Sequence, residues 1–259
     1  MASDENDRYD VIVVGAGNAA LSAALAARER GARVLVLEKA NEAERGGNSV
    51  FTAGGFRFVH NGLADLRADV LVDLSEAEAR QIDIPPFPAD AYMQDLLRVT
   101  EGLAQPELAD LLIGRSRETM VWMRGKGVRF IPMLGRQSFA VNGVHRFYGG
   151  LAVEAVGGGW GLVDFLVRAA ERAGIVIRYG TGLRRLLQNR AGAITGITVF
   201  GPRGYEDIPA ASVVLACGGF EANPEMRARY LGPGWELCRV RGTRHNTGEG
   251  IRAARRQLR

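Results

Sequence analysis

Apolar and polar positions over the first forty residues alternate on the scale of whole elements, and they spell out one βαβ unit. Val11–Val14 is a short apolar run without a polar face, the pattern of a strand covered on both sides. Gly15 and Gly17 follow at once, with Ala20 in the third position of a G-x-G-x-x-A fingerprint. A helix is predicted from about Asn18 to Arg30, then a second strand over Arg33–Leu37 that ends on Glu38. Each residue type has a physical task in such a unit. The first glycine permits the tight turn, the second leaves room for a pyrophosphate, and the small Ala20 lets helix and strand approach. The helix aims free N–H groups and its dipole at the phosphate, and Glu38 can accept two hydrogen bonds from an adenosine ribose. Strand, glycines, helix, strand and acid at this spacing predict a bound dinucleotide.

Beyond Glu38 the pattern changes. Residues 45–55 hold four glycines in eleven positions with no helical or alternating period. They read either as a flexible surface turn or as backbone lying against a flat ring, where side chains would obstruct. Residues 60–148 read as a helical insertion. Asp90–Gly102 carries Ala91, Met93, Leu96, Leu97 and Val99 at helical spacing. Pro106 opens a longer helix through Leu108, Leu111, Leu112 and Val121-Trp122, closed by Gly125 and Gly127. Met93, Met120 and Met123 are expected to fill core gaps, and Pro85-Pro86-Phe87-Pro88 is an extended loop. A short strand is expected at Val128–Ile131, then a long loop from Pro132 to Trp160 that includes His145. A helix follows over Leu162–Arg172 and a strand over Ile175–Tyr179. Residues 183–209 read as an antiparallel meander leading to a buried strand, Val213–Ala216, which ends in Cys217-Gly218-Gly219-Phe220. Asn223 is the expected N-cap of a helix running through Leu231.

Composition narrows the classes. With 259 residues, 47% hydrophobic and 24% charged, the chain reads as one large or two small globular domains. It has no apolar run of 18 residues, so no membrane span is expected. Residues 1–8 are polar and acidic, the opposite of a signal peptide, which makes the cytoplasm the expected location. Cys217 and Cys238 form no C-x-x-C, and three scattered histidines (His60, His145, His245) support no metal triad. The net charge of +4 hides an asymmetry: residues 60–110 hold eleven acids and three arginines, residues 225–259 nine arginines and three acids. Nucleic-acid binding is not expected, because no aromatic interleaving or known module accompanies the arginines. A solvated or partner-facing surface, or attraction of a multiply charged anion, remain open.

Gly15-Ala16-Gly17-Asn18-Ala19-Ala20, Glu38-Lys39, Gly46-Gly47-Asn48-Ser49 with Gly54-Gly55, and Val214 to Phe220 resemble the flavoprotein family of fumarate reductase and succinate dehydrogenase. Within it, Gly17 to Leu21, Arg45 to Ser49 and Arg241-Gly242-Thr243-Arg244 resemble the FAD-dependent tricarballylate dehydrogenases. The resemblance implies an α/β, doubly wound FAD-binding domain with a helical insertion and a small antiparallel meander. It implies a cofactor pyrophosphate at Gly15 and Gly17, an adenosine ribose at Glu38, and the flavin side of the cofactor along Gly46 to Gly55 (Gly46, Gly47, Asn48, Ser49, Thr52, Gly54 and Gly55), with Asn18, Ala19, Ala20 and Lys39 as further cofactor contacts. Leu183, Ala216, Gly218 and Gly219 complete the implied cofactor contacts. Covalent members carry a flavin-bonding histidine where this chain has Asn48, so non-covalent FAD is implied. The implied reaction is hydride transfer between a substrate carbon and flavin N5, with tricarballylate oxidised to cis-aconitate. A 3-ketosteroid or urocanate-type enzyme, or an inactive FAD-binding fragment, are the alternatives. The partners implied are a small carboxylate substrate and an electron acceptor that the resemblance does not identify. The family's proton-handling arginine and carboxylate clamp come after the position of Thr247–Gly250, in a cap domain and a closing flavin segment. Both are therefore expected to lie outside these residues, and turnover by them alone is expected to fall below detection.

Overall fold

In the computed structural model, residues 8–257 are described; the polar start at residues 1–7 and the last two residues lie outside them. Strand β1 (Tyr9–Val14) leads through the glycine turn into α1 (Asn18–Glu29) and β2 (Val34–Leu37). β2 is buried at all four positions, as a strand with no polar face requires. The two strands are parallel, with Val11 opposite Val34 and Val14 opposite Leu37. Helix α1 buries Ala20, Leu21, Ala24 and Leu25, one side of a 3.6-residue period.

The chain divides into two compact units, one made of residues up to Phe51 and from Leu166 onward, the other of Thr52–Phe165. In the second unit, β3 (Gly55–Phe56), α2 (Leu63–Asp69), α3 (Glu76–Ala79), β4 (Ile82–Asp83), α4 (Ala89–Val99) and α5 (Pro106–Gly125) are followed by β5 (Phe130–Pro132) and α6 (Leu134–Gln137). β6 (Ser138–Val141), β7 (Val144–Phe147) and β8 (Val153–Ala155) complete two small sheets, ordered β3-β8-β5 and β4-β7-β6. The expected long loop from Pro132 to Trp160 is thus largely structured. β6 and β7 form a hairpin whose turn is Asn142 (φ 51°) and Gly143 (φ 80°), the Asn-Gly pair that two-residue hairpins favour. His145 sits in β7 with Nδ1 3.2 Å from the Ser138 hydroxyl, a structural position. The unit also differs from expectation in what α5 covers. Its buried side is Ala109, Ile113, Met120 and Met123, so Leu108, Leu111 and Leu112 stay exposed.

The unit boundary falls within α7 (Gly158–Arg172), which starts four residues before the sequence suggests. The first unit resumes with β9 (Val176–Arg178), β10 (Gly182–Gln188), β11 (Ile194–Gly201), β12 (Gly204–Leu215), α8 (Pro224–Leu231) and α9 (Glu249–Gln257). Its sheet has the order β10-β11-β12-β1-β2-β9. The meander and the strand expected as separate pieces are one: β12 runs antiparallel to β11 from Gly204 and parallel to β1 from Ala210. Its end is not buried as expected, since Val214 and Leu215 are exposed. The core on one face gathers Ile12, Val14, Leu35, Leu37, Ile197 and Ile208, with Ala253 of α9 among them. The result is an α/β domain with a parallel centre and an antiparallel extension, and the carboxyl ends of β1, β2 and β12 lie side by side.

Candidate cofactor-binding site

Those strand ends, the N-terminus of α1 and the loop that follows β2 enclose a cavity of about 380 Å³ in the first unit, within the range of ligand sites. Gly15, Gly17, Asn18, Ala19, Glu38 and Lys39 line it. Gly46, Gly47, Asn48 and Ser49 form a second side, and Leu183, Ala216 and Gly218 a third. Of the remaining sequence-derived positions, Ala20 is fully buried behind the wall in α1, and Gly219 faces a different groove. Thr52, Gly54 and Gly55 belong to the second unit. Leu183 does double duty, because its side chain is also part of the sheet core.

The two fingerprint glycines are needed for different reasons. Gly15 has φ +111°, and a Cβ there would lie 2.4 Å from the Ala216 carbonyl oxygen at the end of β12. Gly17 is ordinary extended backbone, φ −79° and ψ −177°. Its Cβ would meet the Ser49 hydroxyl at 3.2 Å and the Gly46 carbonyl at 3.3 Å. That hydroxyl already accepts the Asn18 N–H, at 3.0 Å.

Glu38 is almost fully buried at the end of β2, accepting from the N–H of Ala16 (3.0 Å) and of Ala40 (2.8 Å). Burial pushes its carboxyl above the usual range, against the opposing pull of those N–H groups. Lys39 lines the cavity and also forms an internal tie. Its ammonium donates to the Thr247 hydroxyl (2.5 Å), the Glu249 carboxylate (2.7 Å) and the His245 carbonyl (3.2 Å). Burial pushes Glu249 upward, but the bonds from Lys39 and Thr247 outweigh it and hold the carboxyl below its usual range.

Lys39 thereby anchors a segment that sequence reading noted only as a landmark. His245 and Asn246 line the cavity, as do Thr181, Gly182, Leu215 and Cys217. The segment is pinned from several sides. Asn48 Oδ1 accepts the Thr243 N–H at 2.9 Å, and Glu44 accepts from Arg244 (2.7 Å) and pairs with His245 (3.2 Å). Asn223 donates to the Thr247 carbonyl at 3.0 Å. Asn48 therefore spends its amide oxygen on holding this segment in place.

One group in the wall lacks a partner: Asn18 Oδ1 is buried with no hydrogen-bond donor. A buried acceptor of this kind costs about 1–3 kcal/mol if left unmade. A cradle of glycine backbone, a helix N-terminus and a buried acid at the end of the second strand together define a dinucleotide-binding α/β domain. Among the described residues, no group of His, Cys, Asp and Glu could hold a metal ion.

A family model described as FAD binding domain matches residues 10–259. The chain belongs to that family, which fumarate reductase flavoproteins share, and its cofactor is FAD. It is 31% identical over 232 residues to a fumarate reductase (cytochrome) of Shewanella frigidimarina, covering 88% of this chain and 36% of that protein. It is 28% identical over 230 residues to the urocanate reductase of Eggerthella lenta, covering 85% and 33% respectively. The structure of the open conformation of a flavocytochrome c3 fumarate reductase superimposes with a TM-score of 0.74 at 27% identity, over 99% of this chain and 41% of that one. The chain spans about a third of the length of these two curated relatives.

Proposed function

We propose that the protein is an FAD-dependent oxidoreductase acting on a carbon–carbon single or double bond beside a carboxylate. The observation that carries this is the cavity itself, whose glycine cradle, helix N-terminus and buried Glu38 suit FAD. The likeness to reductases of fumarate and urocanate supports the reaction type. Bound FAD supplies hydride-accepting or hydride-donating chemistry. The chain's residues supply the rest. The N-terminus of α1 with Gly15 and Gly17 would hold the pyrophosphate, where its dipole favours negative charge. Glu38 would accept from the ribose with the lone pairs that Ala16 and Ala40 leave available. The backbone of Gly46–Ser49 and the segment around Asn246 would close the sides. FAD is held without a covalent bond, because Asn48 offers no nucleophilic ring nitrogen. Acid precipitation of the purified protein then leaves the yellow colour in the supernatant.

Tricarballylate is the substrate we propose within this class, on the strength of Gly17 to Leu21, Arg45 to Ser49 and Arg241 to Arg244. The test is anaerobic mixing of the FAD-loaded complete gene product with tricarballylate, succinate or a urocanate-type substrate, followed by flavin absorbance. Reduced protein is mixed in parallel with cis-aconitate, fumarate and urocanate. Bleaching by tricarballylate and recovery with cis-aconitate are expected. A FAD-loaded protein that exchanges electrons with none of these compounds overturns the proposal.

A further inference from the structure

Apart from Arg244, which pins the cavity segment through Glu44, the arginines between Arg227 and Arg256 lie outside the cofactor cavity wall. From Arg229 to Arg241 nearly every residue is exposed. Leu231 and Trp235 are each 49% exposed and Leu237 is 81% exposed. This is a presented surface rather than a loose one. The guanidinium of buried Arg227 in α8 donates to the Cys238 carbonyl (2.8 Å) and the Glu236 carbonyl (3.0 Å), fixing the short helical turn at Trp235–Leu237. A groove of about 390 Å³ runs beside it, floored by Phe220, Leu231, Trp235, Val240 and Ile251. A second cavity, about 230 Å³, is lined by Tyr230 and four arginines: Arg229, Arg252, Arg255 and Arg256. Arg229 and Arg255 stack over the Tyr230 ring at 5.6 and 5.5 Å, and Arg255 also bonds its hydroxyl. Arginines outnumber acids here, the acids being Glu221, Glu225, Glu236 and Glu249. Glu249 holds Lys39, and Glu236 accepts from the Gly234 N–H at 2.9 Å.

An apolar groove edged by arginine, with tryptophan and tyrosine exposed, has the composition of a protein-docking centre. Its excess positive charge selects an acidic partner and speeds the encounter. Its place suggests what that partner carries. Gly218 lines the FAD cavity, and the very next residues, Gly219, Phe220 and Glu221, line the groove. Asn246 spans the two, lining the cavity and donating to Glu221 at 3.3 Å. Resting on the proposed flavin chemistry, we infer that this face docks an acidic electron-carrier protein, which delivers or removes electrons through the shared wall. Two carrier molecules each give one electron, and two solvent protons complete the change from FAD to FADH2. The reverse traffic releases the same two electrons and two protons.

The probe is flavodoxin, an acidic one-electron carrier, with the basic protein cytochrome c as contrast. Binding of flavodoxin to the FAD-free chain is measured by thermophoresis, so that it is read independently of turnover. The dissociation constant is expected to rise about tenfold or more between about 20 and 200 mM salt, as Debye screening shortens. The double variant Arg229→Glu/Arg255→Glu is expected to abolish flavodoxin binding and to improve binding of cytochrome c, and Leu237→Ser to weaken both. With FAD loaded, the same double variant slows reduction by reduced flavodoxin while FAD content and reduction by dithionite stay as in the parent. Flavodoxin binding that ignores salt and charge reversal overturns the inference. So does a face that binds phosphatidylglycerol vesicles but no flavodoxin, or one that pairs only with a second copy of the chain. A chain that takes up no FAD fails earlier, at the proposed function, and is recognised by the absent flavin spectrum.

Discussion

Replacing Gly15 with alanine should damage the fold, whereas the same change at Gly17 should damage only cofactor binding. At Gly15 the backbone has φ +111°, outside the wells an alanine prefers, which costs about 1–3 kcal/mol. The added Cβ would sit 2.4 Å from the Ala216 oxygen, 2.9 Å from its carbonyl carbon and 3.0 Å from Cys217 Cα. All three are backbone atoms, and Ala216 is tied to β1 by its N–H on the Val14 carbonyl at 2.9 Å. Relief requires β1 and β12 to part, and overpacking of that kind costs about 1–3 kcal/mol more. The sum, about 2–6 kcal/mol, is a large share of the roughly 5–15 kcal/mol that holds a domain together. Gly17 has an unstrained backbone, and its nearest neighbour would be the Ser49 hydroxyl at 3.2 Å. Restricting the unfolded chain even offsets about 0.4–1 kcal/mol there. Urea unfolding of the FAD-free proteins, followed by FAD titration of those that fold, separates the two effects. Gly15→Ala is expected to unfold at markedly lower urea. Gly17→Ala is expected to keep its midpoint and lose FAD affinity. A Gly15→Ala protein as stable as its parent, or a Gly17→Ala protein that is the less stable of the pair, refutes the reasoning.

Glu38→Gln keeps the side chain's shape and removes its charge, so FAD affinity should fall by about 1.5–3 kcal/mol for each ribose hydrogen bond that depended on the carboxylate. Because burial raises the Glu38 pKa, the folded chain takes up a proton as pH falls from neutrality toward the usual carboxylate range. FAD affinity should weaken over that window in the parent and stay flat in the variant, as calorimetric titration at several pH values will show. His60 is buried between Phe58 and Phe87 with Nε2 unpartnered, and burial lowers its pKa from 6.5 to about 4. The unfolded chain then binds the extra proton first, so stability should drop as pH falls from about 6.5 to 4, by up to about 3 kcal/mol. His60→Phe should flatten that limb at some cost at neutral pH, since the Gly62 N–H loses its acceptor. Equal acid sensitivity of parent and variant in urea unfolding would count against this assignment.

The βαβ start was legible because its signals are local. Val11–Val14 and Val34–Leu37 have no polar face to leave in water, and the residues between them carry helical spacing. Glu38 could be assigned to a cofactor for the same reason, as it follows directly on β2, whereas Gly46 and Gly47 were assigned to one only through the family resemblance. The Asn142-Gly143 hairpin was missed, because the glycines around it made residues 132–160 read as one long loop. Other features depend on partners far along the chain. Gly15 answers to Ala216, and Lys39 to Thr247 and Glu249. Asn48 answers to Thr243. Nothing local marks Thr181, Gly182, His245 or Asn246 as wall residues, because what brings them to the cavity is the parallel seam of β12 on β1 and the ties that follow. Periodicity also states only that a helix has an apolar side. On α5 it cannot say that Ala109 and Ile113 are covered while Leu108 and Leu112 are not. Local sequence determined which segments become strand, turn and helix, since backbone sterics and solvent act on neighbours. Tertiary packing decided which faces are buried and which distant groups meet, since those contacts exist only once the sheet has assembled.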